Sequence, residues 1–292
     1  MYRRRTAVFM QLFVLSLIVF GLIGYQNWKL EERKPNTQIK VIMDVTRTPL
    51  LKECEFWTIL MTVNHGFLDF FINWLLHFKK LGLICPLIVM THDEHTFNLL
   101  RSNQSLYGRL SVIKSEGANV TSAATYNTKN FANIVSERPR FILDHLSKGF
   151  NVLYVDADTV WLSSPFQHFN GKFDMWIQLD LVAYCTGFMA IKSNMRTISL
   201  FKQWRDSLSM PNRKQTNVNQ PVFNHVAATF IRSMNLTIKS LDPKLFPDGH
   251  RYFDVYNSEQ RKDVVAVHNN FITGYKNKLR RFKRYGLWLL DF

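Results

Sequence analysis

Strand-like and helix-like patterns of apolar residues alternate along most of the chain. Phe56 to Val63 is a continuous β-type run, and apolar residues from Phe67 to Leu81 then recur with helical spacing. The strand pattern returns from Leu83 to Met90, and the polar residues 92–95 precede a second predicted helix. This alternation predicts an α/β fold with a parallel, doubly wound sheet.

One strand of this pattern ends in two carboxylates. A helix predicted from Arg138 to Lys148 leads into Val152 to Val155, which has the composition of a strand buried on both faces. Asp156 and Asp158 follow, and period-two alternation predicts that they lie on one side of an extended chain. Ligands of open α/β sheets bind at such strand ends. Two close carboxylates favour Mg²⁺ or Mn²⁺, which in turn bridges a diphosphate.

Two other interpretations of the Asp-x-Asp sequence stay open at this point. An isolated motif of this kind is often an acidic turn between two strands. A family of phosphatases also places four apolar residues before Asp-x-Asp-x-Thr/Val, and Val160 fits the last position. That phosphatase motif lies near the start of its domain, whereas here it lies deep in the chain.

A second strand end carries an imidazole. The run from Val264 to Val267 ends at His268, and Gly274 and Lys276 follow within eight positions. A glycine allows close approach of the backbone and a lysine supplies a point charge, which suits a diphosphate bound to a metal ion. A structural, hydrogen-bonded histidine and a solvated surface lysine are the alternatives.

The amino-terminal residues predict a membrane anchor. Arg3 to Arg5 precede a run without charge from Ala7 to Gly24, which is longer than a usual signal-peptide core and lacks a good processing site. The arginines favour a cytoplasmic tail over residues 1–6, an uncleaved signal-anchor helix and a lumenal remainder. Residues 25–53 are predicted to be a stem, and residues 54–292 the lumenal domain.

Composition and charge narrow the class of protein. With 47% hydrophobic residues, the 292-residue chain is able to bury one large core or two small ones. A net charge of +15 is compatible with a nucleic-acid ligand or an anionic substrate. We predict no nucleic-acid partner, because the basic cluster from Lys276 to Arg284 overlaps the predicted phosphate site and the amino-terminal arginines are explained by topology.

Cysteines and glycosylation motifs fit a chain of the secretory pathway. A lumenal location allows one disulfide and one free thiol among the three cysteines, Cys54, Cys85 and Cys185, and their spacing matches no zinc motif. Three sequons for N-glycosylation begin at Asn103, Asn119 and Asn235.

The region from about Trp57 to Trp288 resembles the nucleotide-diphospho-sugar transferase domain of glycosyltransferase family 77 and its relatives. The order and spacing of several segments carry this resemblance, namely Asn64 to Trp74, Arg138 to Phe166, Thr186 to Phe188, Asn219 to Pro221, Leu245 to Gly249, and His268 to Asn270 with Gly274, Lys276 and Trp288.

The resemblance implies a GT-A fold, which is a Rossmann-like, mixed and mostly parallel sheet flanked by helices. It implies an enzyme that uses a nucleotide-diphosphate sugar and Mn²⁺ or Mg²⁺. With the predicted signal anchor, we expect a type II protein of the Golgi membrane. The sugar would pass to a glycan or glycoprotein acceptor with retention of configuration. The residues that match the family's site fall into three groups, with Asp156, Asp158 and His268 for the metal, Asp156, Gly274 and Lys276 for ribose and diphosphate, and Thr62, Asn64 and Arg138 for the nucleotide.

One departure from the family concerns the catalytic residues. Family members commonly carry Asp-Gln where this chain has Asn219 and Gln220. An amide neither acts as a base nor carries anionic charge. Asp180 is then the acidic candidate near the donor sugar, and a cap of the next segment is its alternative role. A catalytically silent protein that binds nucleotide sugars is the alternative function.

Overall fold

The computed structural model describes residues 54–117, 119–126, 128–181, 183–209 and 219–291. The predicted cytoplasmic tail, signal anchor and stem lie outside these residues, so the topology of the chain stays a prediction. Over the described part of the chain, no helix is both long and apolar enough to cross a membrane.

Nine strands are present in the described residues. They are β1 Trp57–Val63, β2 Leu87–Thr91, β3 Leu110–Lys114, β4 Asn151–Val155, β5 Thr159–Trp161, β6 Met175–Asp180, β7 Ala183–Ile191, β8 Ile238–Ser240 and β9 Ala266–His268. Seven of them form one sheet in the order β3-β2-β1-β4-β7-β6-β8, and β5 pairs with β9 in a second, small sheet.

The main sheet is mixed and mostly parallel. Strands β3, β2, β1 and β4 pair in parallel, and β8 is parallel to β6. Strand β7 is antiparallel to both β4 and β6. A two-residue connection joins β6 to β7, and so short a connection allows only a hairpin. The parallel sheet predicted from alternation is therefore confirmed for most pairings and wrong at β7, and the mixed, mostly parallel sheet implied by the family resemblance is confirmed.

Seven α-helices surround the sheet in the described ranges. They are α1 Leu68–Lys80, α2 Glu94–Ser102, α3 Lys129–Ser136, α4 Arg138–Leu146, α5 Met195–Leu208, α6 Asn219–Ser233 and α7 Tyr275–Arg284. Side-chain caps begin three of them, because Asp93, Thr128 and Asn194 each accept a hydrogen bond from the first turn of the helix that follows.

Several predicted boundaries differ from the structure, and two of these differences have a local cause. Helix α1 starts at Leu68 because a short 3₁₀ turn occupies His65–Phe67. Strand β2 starts at Leu87, after Pro86, which has no N–H for a sheet ladder. Just before this proline, Cys85 forms a disulfide with Cys54, while Cys185 is the buried free thiol. One disulfide and one free thiol are what the sequence analysis allowed for a lumenal domain, without assigning the pairing.

The core lies on both sides of the central strands. Strand β4 is buried on both faces, as predicted from its composition, with Val152 to Val155 at 0% exposure. Helices α4, α5 and α6 cover one face, where Trp204 and Phe223 pack with rings 4.9 Å apart. On α1, the ring of Trp74 packs 5.2 Å from that of Trp161 on β5. This contact ties the small sheet to the rest of the domain.

Pairing in the small sheet positions the site. Strands β5 and β9 are antiparallel, with Thr159 opposite His268 and Trp161 opposite Ala266. Because Thr159 directly follows Asp158, this register brings the end of β9 to the Asp-x-Asp segment. Two stretches that are far apart in the chain therefore meet at the end of β4.

Candidate active site

Asp156 and Asp158 lie in a turn between β4 and β5. The backbone N–H and the hydroxyl of Thr159 both donate to the carbonyl of Asp156, at 3.2 and 2.9 Å. The backbone N–H of Asn269 donates to the carbonyl of Asp158 at 3.0 Å. The predicted extended chain is wrong here, because the segment forms a turn, but both carboxylates still face Nε2 of His268. The segment is an acidic turn, and it also carries a cluster of metal-ligand groups.

Three potential ligand atoms meet above this turn. Nε2 of His268 lies 3.4 Å from Oδ1 of Asp158 and 3.8 Å from Oδ2 of Asp156. The three groups offer atoms that all lie within 4.8 Å of one another, close enough to share one metal ion. Two carboxylate oxygens and an imidazole nitrogen form a donor set that suits a divalent ion such as Mn²⁺.

A cation holds the second oxygen of each carboxylate. Arg138 donates from Nη2 to Oδ1 of Asp156 at 2.7 Å, and Lys278 donates from Nζ to Oδ2 of Asp158 at 2.5 Å. Each aspartate therefore keeps one oxygen for a cationic side chain and turns the other toward His268. The paired charges reduce the repulsion between two nearly buried carboxylates.

Burial and neighbouring charges shift the pKa values of Asp158 and His268. Burial raises the pKa of Asp158, but Lys278 and His268 outweigh burial and hold this pKa well below its usual range. Burial lowers the pKa of His268, and the Asp158 and Asp156 carboxylates reverse the effect so that the pKa is raised. Both shifts favour the charged forms, the Asp158 carboxylate and the His268 imidazolium, so a metal ion that binds here displaces a proton from His268.

Gln178 determines which nitrogen of His268 faces the carboxylates. The side-chain amide of Gln178 donates to the carbonyls of Phe246 and Pro247, at 3.2 and 2.8 Å. Its Oε1 must then point the other way, and it accepts from Nδ1 of His268 at 3.2 Å. In the neutral imidazole the proton is therefore placed on Nδ1, and Nε2 then offers its lone pair to a metal ion.

Gly187 leaves room for the cluster. The backbone N–H of Asp156 donates to the carbonyl of Gly187 at 2.8 Å, so this glycine lies directly beside the aspartate. A Cβ at Gly187 would lie 2.5 Å from both Oδ2 of Asp156 and Cε1 of His268. Only glycine permits the observed approach of these two side chains.

Arg138 links the cluster to the predicted nucleotide side. Its side chain is 7% exposed, and its guanidinium lies 4.7 Å from the centre of the Tyr154 ring. Burial lowers the pKa of Arg138, but the Asp156 carboxylate outweighs burial and raises it. The Tyr154 hydroxyl is 3.0 Å from Oγ1 of Thr62. Thr62 thus joins the polar network of the site, whereas the buried Asn64 amide donates to two carbonyls of the 120–122 loop.

The three predicted catalytic residues lie in one hydrogen-bond network. Gln220 accepts from the backbone N–H of Thr186 at 3.3 Å and donates to Oδ2 of Asp180 at 3.2 Å. The Thr186 hydroxyl accepts from Nη1 of Arg138 at 2.7 Å and donates to Oδ1 of Asn219 at 3.2 Å. Thr186 therefore connects the predicted catalytic residues to the arginine that holds Asp156.

Two residues of the site were not predicted from the sequence. Lys278 reaches Asp158, while the predicted Lys276 is exposed two residues earlier on α7 and Gly274 precedes that helix with φ 85°. Gln178 is the second. Local spacing identifies neither residue, because Lys276 and Lys278 are both close to Gly274 and a register irregularity between Ile177 and Leu179 interrupts the alternation of β6.

Comparison with known proteins gives a consistent picture. A model of the nucleotide-diphospho-sugar transferase family matches residues 82–282. The UDP-D-xylose:L-fucose alpha-1,3-D-xylosyltransferase 3 of Arabidopsis thaliana is 28% identical over an alignment of 260 residues, and the match covers 80% of this chain and 66% of the relative. The UDP-galactose:fucoside alpha-3-galactosyltransferase of Dictyostelium discoideum is also 28% identical, over 80% of this chain and 43% of its own length.

A solved structure shows the same fold. The glycosyltransferase GlyE of Streptococcus pneumoniae matches 80% of this chain and 60% of its own, with a TM-score of 0.52 and 12% identity. This likeness supports the GT-A architecture alone. The chain spans two thirds or less of the length of the two relatives named above, so their activities are not transferred with the match.

Proposed function

This chain belongs to the nucleotide-diphospho-sugar transferase family, and on that premise we propose that it is a metal-dependent glycosyltransferase. It transfers a sugar from a nucleotide-diphosphate donor to a glycan or glycoprotein acceptor, with retention of anomeric configuration. The observation that carries the proposal is the convergence of Asp156, Asp158 and His268 at the end of β4. Family membership confirms the resemblance seen in the sequence.

The metal ion is proposed to be Mn²⁺, with Mg²⁺ as the other hard cation that fits these ligands. When bound, it supplies the positive charge that stabilises the departing diphosphate. Arg138 and Lys278 hold the outer oxygens of Asp156 and Asp158, so the inner oxygens are oriented before a ligand arrives. Gln178 keeps the Nε2 lone pair of His268 available.

The remaining site residues divide between the donor's phosphates and its sugar. Gly274 stands at the amino terminus of α7, where the helix dipole favours a diphosphate, and Lys276 and Lys278 follow in the first turns. Thr62, Asn64 and Arg138 are proposed for the nucleotide. Asp180, Asn219 and Gln220 are proposed for the sugar, with Asp180 as the only carboxylate among these three.

Relatives narrow the substrates we propose. The two relatives named above differ in donor sugar, xylose in one and galactose in the other, but both names specify fucose or a fucoside as acceptor. We therefore propose a UDP-sugar donor and a glycan ending in L-fucose as acceptor. The donor sugar is left as a pentose or hexose, because the feature shared by both relatives is the acceptor.

The two alternative functions, a phosphatase and a catalytically silent protein that binds nucleotide sugars, receive less support. A phosphatase would use Asp156 as a nucleophile, but one oxygen of this carboxylate is held by Arg138 and the other faces His268. A catalytically silent protein was suggested by Asn219, yet this amide is fully engaged inside the domain, between Thr186 and the carbonyl of Val135. The family and its relatives favour an active transferase.

We also propose a single-pass type II location in the Golgi membrane. Its support is the charge-free run from Ala7 to Gly24 after three arginines, together with a disulfide in the domain that follows. Two of the sequon residues, Asn119 and Asn235, are exposed. Glycans at these residues on a membrane-bound product would support the location, and secretion of a chain starting near Tyr25 would contradict it.

The experiment that tests the transferase is a donor screen. The purified lumenal domain is incubated with UDP-xylose, UDP-galactose and other nucleotide sugars, with and without Mn²⁺, and release of UDP is measured. We expect release from at least one donor that depends on Mn²⁺ and is abolished in Asp158→Asn. Release that is independent of metal, or no release from any donor with or without a fucoside, would reject the proposal.

A further inference from the structure

Two bulky apolar residues beside the site have a backbone conformation that favours glycine. In the described ranges, positive φ angles at non-glycine positions occur at Leu181 (42°), Asn235 (51°) and Phe271 (54°). Asparagine adopts this conformation readily, but leucine and phenylalanine do so only under strain. Strained residues of this kind concentrate at ligand-binding sites, where the surrounding structure enforces them.

The two strained residues flank one polar pair. Asn270 donates from Nδ2 to Oδ1 of Asp180 at 2.8 Å, and Leu181 and Phe271 directly follow the two partners of this bond. Both apolar side chains are half exposed, Leu181 at 48% and Phe271 at 49%. The strained backbone therefore presents apolar surface to solvent, which does not help the free protein to fold.

A buried frame enforces the strained conformation. Leu181 donates its N–H to Oδ2 of Asp248 at 3.4 Å, and Arg251, which also pairs with Asp248, donates to the Leu181 carbonyl at 3.3 Å. The N–H of Gly249 donates to Oδ1 of Asn270 at 2.6 Å. Asp248 is 0% exposed. One turn thus fixes the backbone on both sides of the Asp180–Asn270 pair.

The polar pair connects this apolar surface with the metal-ligand cluster. Gln220 donates to the other oxygen of Asp180 and also accepts from the N–H of Thr186, whose hydroxyl contacts Arg138. Asp180 also contributes to the raised pKa of His268, so it lies within electrostatic reach of the cluster. Leu181 and Phe271 therefore stand at the edge of the site, next to the residues assigned to the donor sugar.

We propose that Leu181 and Phe271 form the acceptor subsite, an apolar platform for a 6-deoxyhexose such as a terminal L-fucose. The inference rests on the proposed function and deepens it. A 6-deoxyhexose carries a methyl group and an apolar ring face that pack on leucine and phenylalanine, while Asp180 and Asn270 face its hydroxyl groups. A fucose acceptor is also what the two relatives with different donors have in common.

The test uses Phe271→Gly, with methyl α-L-fucoside as the acceptor probe. Glycine accepts a positive φ without strain, so the variant should keep or raise its melting temperature. Its KM for the fucoside should rise about tenfold, because the apolar contact is lost. A fall in melting temperature together with an unchanged fucoside KM would show a purely structural role and overturn the proposal.

A second comparison isolates the methyl group. Methyl α-L-galactoside differs from the fucoside by one hydroxyl at C6, which an apolar platform disfavours. Wild type should prefer the fucoside by roughly tenfold in kcat/KM, and Phe271→Gly should reduce this preference to about twofold or less. An equal preference in wild type and variant would place the methyl group elsewhere and overturn the proposal.

One control variant matches the test. Phe150→Ala removes a phenylalanine of similar exposure, 53%, at the opposite end of β4. It should keep the wild-type KM and preference. The experiment distinguishes a failure of the proposed transferase activity from a failure of the acceptor subsite. Release of UDP from the donor without an acceptor tests the donor and metal site alone. Mn²⁺-dependent UDP release with no effect of Phe271→Gly on the fucoside rejects only the acceptor subsite.

Discussion

Nδ1 of His268 donates a hydrogen bond to Oε1 of Gln178 at 3.2 Å, and this bond fixes which nitrogen a metal ion meets. The Gln178 amide is not free to rotate, since its nitrogen donates to two backbone carbonyls. The carbonyl oxygen therefore always faces the imidazole. Gln178 on β6 thus orients the imidazole of His268 on β9 through one hydrogen bond, although it does not contact Nε2, the nitrogen that faces the metal site.

We expect Gln178→Leu to weaken Mn²⁺ binding by about 10- to 100-fold, which is typical when a partner of a ligating histidine is removed. The variant loses the bond that keeps the proton on Nδ1 and orients the ring. Titration calorimetry with Mn²⁺ in the presence of UDP measures the change. Gln203→Leu, an exposed residue on α5, is the matched control. Equal Mn²⁺ affinity in the two variants would contradict this role of Gln178.

The ligand residues were predictable from sequence, but their arrangement was not. Asp156, Asp158 and His268 each follow an apolar strand-like run, which is a local signal. Their meeting depends on the pairing of Thr159 with His268, and no local pattern encodes that register. An acidic turn was one of the alternatives open from the sequence, but its contact with Asn269, which follows the distant strand β9, was not predictable for the same reason.

The basic residues of α7 show another limit of sequence reasoning. Lys276 and Lys278 are both close to Gly274 in the chain, and composition does not distinguish them. The orientation of α7 about its own axis decides which lysine faces the small sheet, and it directs Lys278 toward Asp158. There Lys278 also donates to the carbonyl of Asn269 at 2.6 Å. Predicting the phase requires the packing of α7, including the fully buried Phe282.

Gly187→Ala should disable metal binding with little loss of fold. The new methyl group would lie 2.5 Å from ligand atoms or ring atoms of Asp156 and His268, so these side chains must separate. We expect Mn²⁺-dependent UDP affinity to fall at least tenfold, because a ligand set displaced in this way no longer shares one ion. Fluorescence titration with a labelled UDP analogue measures it.

The control for this substitution is Gly149→Ala. Gly149 has φ +87°, and no atom lies within 4 Å of the place where its Cβ would stand, so alanine there adds backbone strain without touching the site. This control should lower the free energy of unfolding by about 1 kcal/mol and keep wild-type UDP affinity. If Gly187→Ala binds UDP and Mn²⁺ as wild type does, the site is more adaptable than its geometry indicates.

His92 should make the fold sensitive to mild acid. It is 1% exposed, neither ring nitrogen has a hydrogen-bond partner, and burial lowers its pKa from 6.5 to about 4 despite the opposing charge of Asp93. The unfolded chain therefore binds a proton more readily than the folded one between these pH values. Stability is complete above pH 6.5 and is lost as the pH falls toward 4.

The measurement is urea unfolding at pH 7 and pH 5. We expect His92 to account for about 2 kcal/mol of the loss in the free energy of unfolding between these values. His92→Leu should therefore show a smaller loss than wild type by that amount, while the exposed His225→Leu serves as the control. The same pH dependence in His92→Leu and wild type would show that the imidazole is not buried as described.

The last prediction distinguishes an active enzyme from a silent one through Asp180 and Asn219. Asp180 accepts hydrogen bonds from the amide nitrogens of Gln220 and Asn270. Asp180→Asn removes the negative charge and places an NH₂ donor next to one of these donors. We expect Mn²⁺-dependent UDP release to fall at least a hundredfold, with UDP affinity within about threefold of wild type.

The amide of Asn219 donates to the Val135 carbonyl at 2.7 Å, so Asn219→Asp places a carboxylate next to that carbonyl. This change should cost about 1–3 kcal/mol of stability and raise turnover little. Wild-type turnover that survives Asp180→Asn would remove Asp180 from catalysis, and turnover that appears only in Asn219→Asp would favour the silent protein.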